Sequence, residues 1–212
     1  MRSLRLTGSR VVLAGLHVLL AAGVFLRAAE PSPADLRAKA QKLQKEGNFK
    51  EAYEAFRKVT FDPKADEKTV GSDLRQAIIC LQRLGRSDEV DAYRDEVIEV
   101  HAKNWRLLQS AAESFVEGEQ YGFLVAGQFY RGNKRGGGEW VQSSDRDRVR
   151  ALQLMQQALP LAAEEKDKSA AGRFYATFAH HILHQRGMVN AWELQVLTDL
   201  TTLPDYEKGG YG

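Results

Sequence analysis

The chain has 212 residues, 43% of them hydrophobic, and its aromatic residues are spread along its length. This composition is ordinary for a folded protein of one or two domains and excludes a disordered or low-complexity chain. Residues 1–29 hold four of the 30 basic side chains and none of the 28 acidic ones, so the remainder has a formal net charge of −2. A protein with this charge is not expected to bind nucleic acid.

The N-terminus has the layout of a secretory signal. Arg2, Arg5 and Arg10 precede a mostly apolar run at 11–26, and small residues follow at 28 and 29. This order is typical of an export signal, whereas a membrane-spanning helix needs about 20 apolar residues. We expect residues 1–29 to be a signal peptide or a retained anchor, and the protein to be periplasmic, in the cell envelope or secreted. Membrane contact is expected only through residues 11–26, if they are retained; a buried N-terminal helix is the alternative.

Residues 33–130 predict helical hairpins at regular intervals. Apolar residues recur at helical spacing on both sides of three turn glycines, Gly47, Gly85 and Gly118, which are 38 and 33 residues apart. The third hairpin is expected to have its second helix over 121–129. Repeats of this length are typical of stacked hairpins that bury their apolar faces against one another.

The first hairpin resembles the tetratricopeptide repeat. Its small, large and turn residues have the spacing of that repeat: Ala40, Leu43, Gly47, Phe49, Ala52 and Phe56. The second hairpin keeps Leu81 and Gly85, but Val90 replaces the usual alanine and Arg94 the usual aromatic residue. The third keeps Trp105, Leu108 and Gly118 and then diverges. The resemblance implies an all-α fold in which hairpins stack as a short α-solenoid, with the first helix of each hairpin lining a concave face.

The only cysteine, Cys80, lies among Ile78, Ile79 and Leu81. A single cysteine cannot form an intramolecular disulfide bond. In this apolar context we expect it to be a small residue of the hydrophobic core, with a reactive thiol as the alternative.

The C-terminal half predicts a loop followed by more helices. Residues 131–143 contain three consecutive glycines and are expected to form a loop or hinge. A further helical, repeat-like segment is expected over 144–202, with helices at 144–163, 169–185 and 189–202. Pro160 is expected to bend or end the first of them. Residues 203–212 are expected to be a linker or tail, and the chain to be the N-terminal part of a longer protein.

Four stretches carry a wider resemblance: residues 97–105 (VIEVHAKNW), 126–132 (AGQFYRG), 147–160 (DRVRALQLMQQALP) and 197–206 (LTDLTTLPDY). In these stretches the chain is similar to the helical N-terminal region of bacterial large extracellular α2-macroglobulin-like proteins. Macroglobulin domains of that family trap proteases, and some members use a thioester formed from a Cys-x-Glu-Gln motif. Cys80 is followed by Leu-Gln-Arg, so this chemistry is not expected here. The resemblance implies a recognition or scaffolding role.

The repeat pattern predicts a binding groove. Mapping the turn glycines onto the repeat places six polar residues on the concave face: Arg37, Gln41, Lys45, Arg75, Gln82 and Arg83. Arg37 and Arg75 are 38 residues apart, as are Lys45 and Arg83, so stacking would align two rows of cations. Such a groove suits an acidic protein segment or a peptide carboxylate. Solvated surface charges are the alternative interpretation, because exposed helix faces are rich in lysine and arginine.

No motif predicts a reaction or a cofactor. His180 and His184 have the spacing of two zinc ligands on a helix, but His181 occupies the place of the glutamate found in zinc hydrolases. We expect ordinary solvated or hydrogen-bonded histidines; a helical metal-dependent hydrolase and a structural spacer without a partner are the alternatives. Cations near the glycines suggest an anion or acidic-partner contact, or solvated charges: Arg131, Lys134, Arg135, Arg146, Arg148 and Arg150. The sequence thus predicts a non-enzymatic, exported protein-interaction or scaffolding region.

Overall fold

The computed structural model describes residues 31–184 and 199–208, so the predictions for residues 1–29 and 189–198 lie outside it. The elements in chain order are α1 (Pro33–Lys45), α2 (Phe49–Thr60), α3 (Val70–Arg83), α4 (Val90–Val100), α5 (Trp105–Val116), β1 (Tyr121–Val125), β2 (Gln128–Arg131), β3 (Glu139–Gln142), α6 (Ser144–Ala163), α7 (Lys168–His184) and β4 (Glu207–Lys208). A short 3₁₀ turn, Ser87–Glu89, precedes α4. The described chain is mostly helical with one small antiparallel sheet, so the all-α prediction is wrong in that respect. None of the helices in these residues has the length and hydropathy that crossing a membrane requires.

The helix ends follow from local sequence. Ser32 caps α1 by accepting a hydrogen bond from the Asp35 amide at 3.2 Å, and the Asp35 carboxylate accepts one from the Ser32 amide at 3.3 Å. At the other end of the helix, Gly47 has a φ of 81°, and Gly85 closes α3 in the same way with a φ of 69°. Left-handed backbone of this kind favours glycine. Two of the three predicted glycine turns, at Gly47 and Gly85, are therefore confirmed, whereas Gly118 does not have a positive φ.

The hydrophobic core joins successive helices. The helix α1 packs on α2, α2 on α3, α3 on α5 and α5 on α6. The fully buried Ala40 and Ala52 let α1 and α2 approach closely, and Phe56 fills the core beside them. At the α3–α5 contact, a Cβ on Gly71 would overlap the side chain of Ser110. Small residues thus set the helix spacing at both contacts.

The predicted second helix of the third hairpin, residues 121–129, is wrong. This segment forms β1 and part of β2, joined by a two-residue turn in which Ala126 and Gly127 have φ of 50° and 82°. Aromatic and β-branched residues favour strands, and a turn with two positive φ values matches the twist of a hairpin. The helix that packs along α5 is α6, so the sheet is inserted between the two helices of the third hairpin.

The sheet also corrects the predicted loop and tail. Its strand order is β2-β1-β3-β4 and all neighbours are antiparallel. The predicted loop at 131–143 therefore contains the strand β3. The predicted tail at 203–212 contributes β4, in which Glu207 pairs with Gln142. Both segments are held by main-chain hydrogen bonds, which composition alone does not reveal.

The later helices match their predictions in part. The helix α7 agrees with the helix expected over 169–185 to within a residue at each end. Pro160 lies inside α6, which continues to Ala163, so the proline does not end the helix. Residues 199–202, the described part of the last predicted helix, are not helical.

Candidate functional site

The first predicted groove cation is engaged within the fold. The Arg37 guanidinium on α1 binds both carboxylate oxygens of Asp73 on α3, at distances of 2.7 to 2.8 Å. Asp73 is almost fully buried, and the hydrogen bonds from Arg37 satisfy its charge. The same pairing raises the pKa of Arg37, chiefly through the hydrogen bond to Asp73. Arg37 therefore links two helices and is not free to hold a partner.

Arg75 repeats this arrangement one hairpin further along. From α3 it reaches Glu113 on α5 at 2.8 Å and Glu117, just beyond α5, at 2.5 Å. Each arginine thus binds acidic side chains supplied by the first helix of the next hairpin. These pairs hold the first helices in register, and the predicted row formed by Arg37 and Arg75 is neutralised.

The second predicted row keeps its charges exposed. Lys45 and Arg83 lie in the last turns of α1 and α3, and neither forms an ion pair with any residue that the structure describes. The Gln44 side chain lies close enough to the Cys80 thiol to influence its pKa, so the C-terminal parts of α1 and α3 approach each other. Gln41 is exposed and Gln82 is half-buried.

Cys80 is buried, as predicted. Burial raises the pKa of its thiol to about 11, which keeps it protonated at neutral pH.

An apolar depression adjoins this face between α3 and α5. It has a volume of about 190 Å³ and is lined by Arg75, Ile78, Ile79, Gln82, Ser114, Glu117 and Gly118. Ile79 is 40% exposed. In the sequence it is an apolar neighbour of Cys80, but its position lies off the apolar stripe formed by Leu74, Ile78 and Leu81. That mismatch is the signal that identifies it as a surface residue.

Arg94, on α4, is fully buried. Its guanidinium lies 3.7 Å from the centre of the Phe115 ring and reaches Asp91 at 3.2 Å. Burial lowers the pKa of Arg94 to about 10, because the charged form is poorly solvated there. The guanidinium of Arg94 thus packs against the Phe115 ring inside the core.

The predicted basic cluster at 131–150 does not form one surface. Arg131 is buried and binds Asp147 on α6 and Asp91 on α4 at 2.7 to 2.8 Å. Burial disfavours its charge, but the hydrogen bonds and charges of these two carboxylates raise its pKa above the ordinary value. Arg131 therefore fits neither interpretation of this cluster, an external anion contact or a solvated charge.

The other cations of that cluster contact different residues on separate elements. Lys134 lies over the Tyr130 ring at 2.9 Å, and Arg150 reaches Asp95 at 3.5 Å. Arg146 and Arg148 donate to the backbone oxygens of Pro204 and Ile182, respectively. Arg135 is exposed. The cluster is dispersed over several elements.

The histidine pair stays a prediction. His180 is exposed on α7, and the side chain of His184 lies outside the described residues. Over residues 31–184 and 199–208, no group of three or more histidine, cysteine or acidic side chains is arranged to hold a metal ion.

Of the six predicted groove residues, Arg37 and Arg75 are thus committed to internal carboxylates, while Lys45 and Arg83 stand exposed. The exposed Ile79 adds an apolar position that was not predicted. The accessible part of the site is the small apolar depression between α3 and α5, and the exposed Arg83 follows its lining residue Gln82 on α3. Comparisons with protein-family models, with curated proteins and with solved structures found no match for this chain.

Proposed function

We propose that this chain is a tetratricopeptide-like helical-repeat region of an exported protein, and that it binds an acidic protein segment. Three successive hairpins support the repeat: α1 with α2, α3 with α4, and α5 with α6. Matching turns at Gly47 and Gly85 close the first helices of the first two. The secretory pattern of residues 1–29 supports export to the cell envelope. The resemblance to α2-macroglobulin-like proteins favours a scaffolding role within a larger envelope protein.

The observation that carries this proposal is the exposed Ile79, which lies one helical turn before the exposed Arg83 on α3, together with the exposed Lys45 at the end of α1. The depression around Ile79 is large enough for one apolar side chain of a partner. Lys45 and Arg83 lie in the last turns of neighbouring helices, where acidic residues of the same segment can pair with them. The ligand is thus an acidic peptide with at least one apolar anchor.

The internal arginine pairs contribute rigidity. Because Arg37 binds Asp73 and Arg75 binds Glu113, the three first helices are fixed relative to one another before any ligand arrives. A preorganised face loses less conformational entropy on binding. These arginines therefore support the groove without contacting the ligand.

Charge reversal tests the proposal. The probe is a fluorescently labelled peptide of aspartate and glutamate with a central leucine, measured by fluorescence polarisation against the purified chain. We expect Lys45→Glu with Arg83→Glu to weaken binding about tenfold or more, a loss of about 1.4 kcal/mol. The control, Lys50→Glu with Lys58→Glu, reverses two exposed charges on α2 and should leave binding nearly unchanged.

The apolar anchor is tested separately. Ile79→Ser should weaken binding of the leucine peptide but not of a matched peptide with serine in its place. If the wild type, the Lys45→Glu/Arg83→Glu variant and the Lys50→Glu/Lys58→Glu variant bind the peptide equally, this face is not the binding site. Arg37→Glu is unsuitable as a test, because it would place a second carboxylate beside the buried Asp73 and disturb the fold.

A further inference from the structure

The strand register divides the sheet into two faces. Residues that pair directly across neighbouring strands share a face. The inner face includes the buried Gly122 and its two buried partners, Arg131 on β2 and Val141 on β3. On the outer face, Phe123 pairs with Tyr130 on one side and with Trp140 on the other. The outer face is therefore built around aromatic rings.

We define the aromatic face as Tyr121, Phe123, Tyr130 and Trp140. All four side chains are partly exposed. The rings of Tyr121 and Trp140 are nearly parallel, inclined by 25° with their centroids 6.4 Å apart. An antiparallel sheet with one solvated face normally presents polar residues there, so four aromatic rings depart from the usual alternation. Four partly exposed rings on one face of a sheet form an apolar surface that a ligand can cover.

The polar groups around the aromatic face are two amides and charges of both signs. Gln128 and Gln142 share this face, and the Tyr130 hydroxyl donates to the Gln128 side chain at 3.0 Å. The nearby charges are Lys134, which covers one side of the Tyr130 ring, Glu207 on the edge strand, and Glu119, whose charge adds to burial in raising the pKa of Tyr121. A single-stranded nucleic acid would need a track of cations beside the rings, and the outward-facing positions of β1, β2 and β3 carry none. The ligand that complements this face is uncharged.

We propose that the aromatic face binds a neutral polysaccharide. A pyranose ring offers flat C–H surfaces that pack on aromatic rings, and hydroxyl groups around its rim that hydrogen-bond to amides. Tyr121 and Trp140 would stack against the sugar rings, while Gln128 and Gln142 would bind the hydroxyl groups. This site is separate from the groove of α1 and α3 and does not rest on the function proposed for it.

The loop before β3 is consistent with an extended ligand. Gly136, Gly137 and Gly138 have φ of 105°, 88° and 129°, conformations that favour glycine. Gly138 lies against the side chain of Val125 at the end of β1. Because these three residues have no side chains, the loop does not form a wall at that end of the aromatic face. An extended polymer can therefore continue across it.

Affinity electrophoresis of the full chain tests the proposal. The probe is hydroxyethylcellulose cast into a native gel, with sedimentation on insoluble chitin as a second measurement; both polymers are uncharged. We expect the wild type to be retarded, and Trp140→Ala or Tyr121→Ala to weaken binding about tenfold or more. Tyr175→Ala, which removes an exposed ring on α7, should bind like the wild type.

Two further measurements make the result decisive. Trp140→Phe keeps a ring at this position and should retain most of the binding, which separates stacking from loss of the fold; thermal unfolding of each variant checks that the sheet is intact. Failure of the wild type to bind either polymer would overturn the proposal. Binding of single-stranded oligothymidine without binding of either polysaccharide would also overturn it and assign the face to nucleic acid.

Discussion

The guanidinium of Arg131, on β2, binds both carboxylate oxygens of Asp147, in the first turn of α6, at 2.7 and 2.8 Å. Both side chains are 4% exposed. Asp147 also accepts a hydrogen bond from the Ser143 hydroxyl at 2.7 Å. This ion pair joins the inserted sheet to α6.

Arg131→Met should strongly destabilise the protein. The substitution leaves the Asp147 carboxylate buried without its countercharge, which costs about 3–5 kcal/mol. Urea unfolding at neutral pH measures the loss. The control, Lys208→Met, breaks the exposed pair with Glu139 in the same sheet and should cost less than about 1 kcal/mol. The double variant Arg131→Met with Asp147→Leu should recover much of the lost stability. Losses for Arg131→Met as small as those for Lys208→Met would contradict a buried ion-pair role for Arg131.

Arg94→Met, unlike Arg131→Met, should leave the stability of the folded protein nearly unchanged or increase it. Below pH 10 the Arg94 guanidinium is charged, and its lowered pKa means that this charge opposes folding; the opposition is relieved only as pH rises through about 10. Methionine fills similar space against Phe115 without the buried charge, so we expect stability within about 1 kcal/mol of the wild type, or higher. Arg94→Ala should be less stable than Arg94→Met by about 2 kcal/mol, because it leaves a cavity. A loss for Arg94→Met as large as that for Arg131→Met would show that its contacts with Asp91 and Phe115 outweigh its burial.

Gly71→Ala tests the close approach of α3 and α5. The added methyl group would overlap the Ser110 side chain, so we expect a loss of about 1–3 kcal/mol despite the better helix propensity of alanine. Gly172, in α7, has open space around its Cβ position, and Gly172→Ala should stabilise the protein by up to about 1 kcal/mol. Thermal unfolding compares the two. Adding Ser110→Gly should rescue Gly71→Ala in part; no rescue would place the cause elsewhere.

Glu165 should make stability depend on acid pH. Its carboxylate accepts hydrogen bonds from the Asp167 amide at 3.0 Å and pairs with Arg106 at 2.7 Å, which lowers its pKa from 4.5 to about 2. A lowered acid pKa stabilises the folded state above pH 4.5, and this contribution is lost as pH falls toward 2. The melting-temperature difference between the wild type and Glu165→Gln should be constant above pH 5 and shrink below it. Glu164→Gln is the control, and a difference independent of pH would refute the prediction.

Local sequence was sufficient for the first five helices and insufficient for the sheet. The helical spacing of apolar residues and the glycines at 47 and 85 locate α1 to α5 because both signals act within one turn of helix. The run Tyr121–Val125 is short and apolar, and such runs have the same appearance in a strand and in a buried helix. Its turn is Ala126-Gly127, which lacks the asparagine or aspartate that usually marks a two-residue hairpin.

The groove shows the same limit. The 38-residue spacing suggested that α1 and α3 lie side by side, and the ion pair between Arg37 and Asp73, which are 36 residues apart, joins these two helices. It could not show that Arg37 turns toward Asp73, or Arg75 toward Glu113, because the repeat gives the position of a side chain but not its partner. The exposure of Ile79 was not predicted, because its neighbours in the sequence are apolar.

The insertion of the sheet between α5 and α6 also has a kinetic consequence. The helices α1 and α2 are joined by three residues, whereas 27 residues separate α5 from α6. Closing the longer connection costs more chain entropy, and it requires strand pairing before α6 can reach α5. The N-terminal hairpins should therefore assemble first as the chain emerges, and the last step of folding should be the docking of α6, when Asp147 meets Arg131.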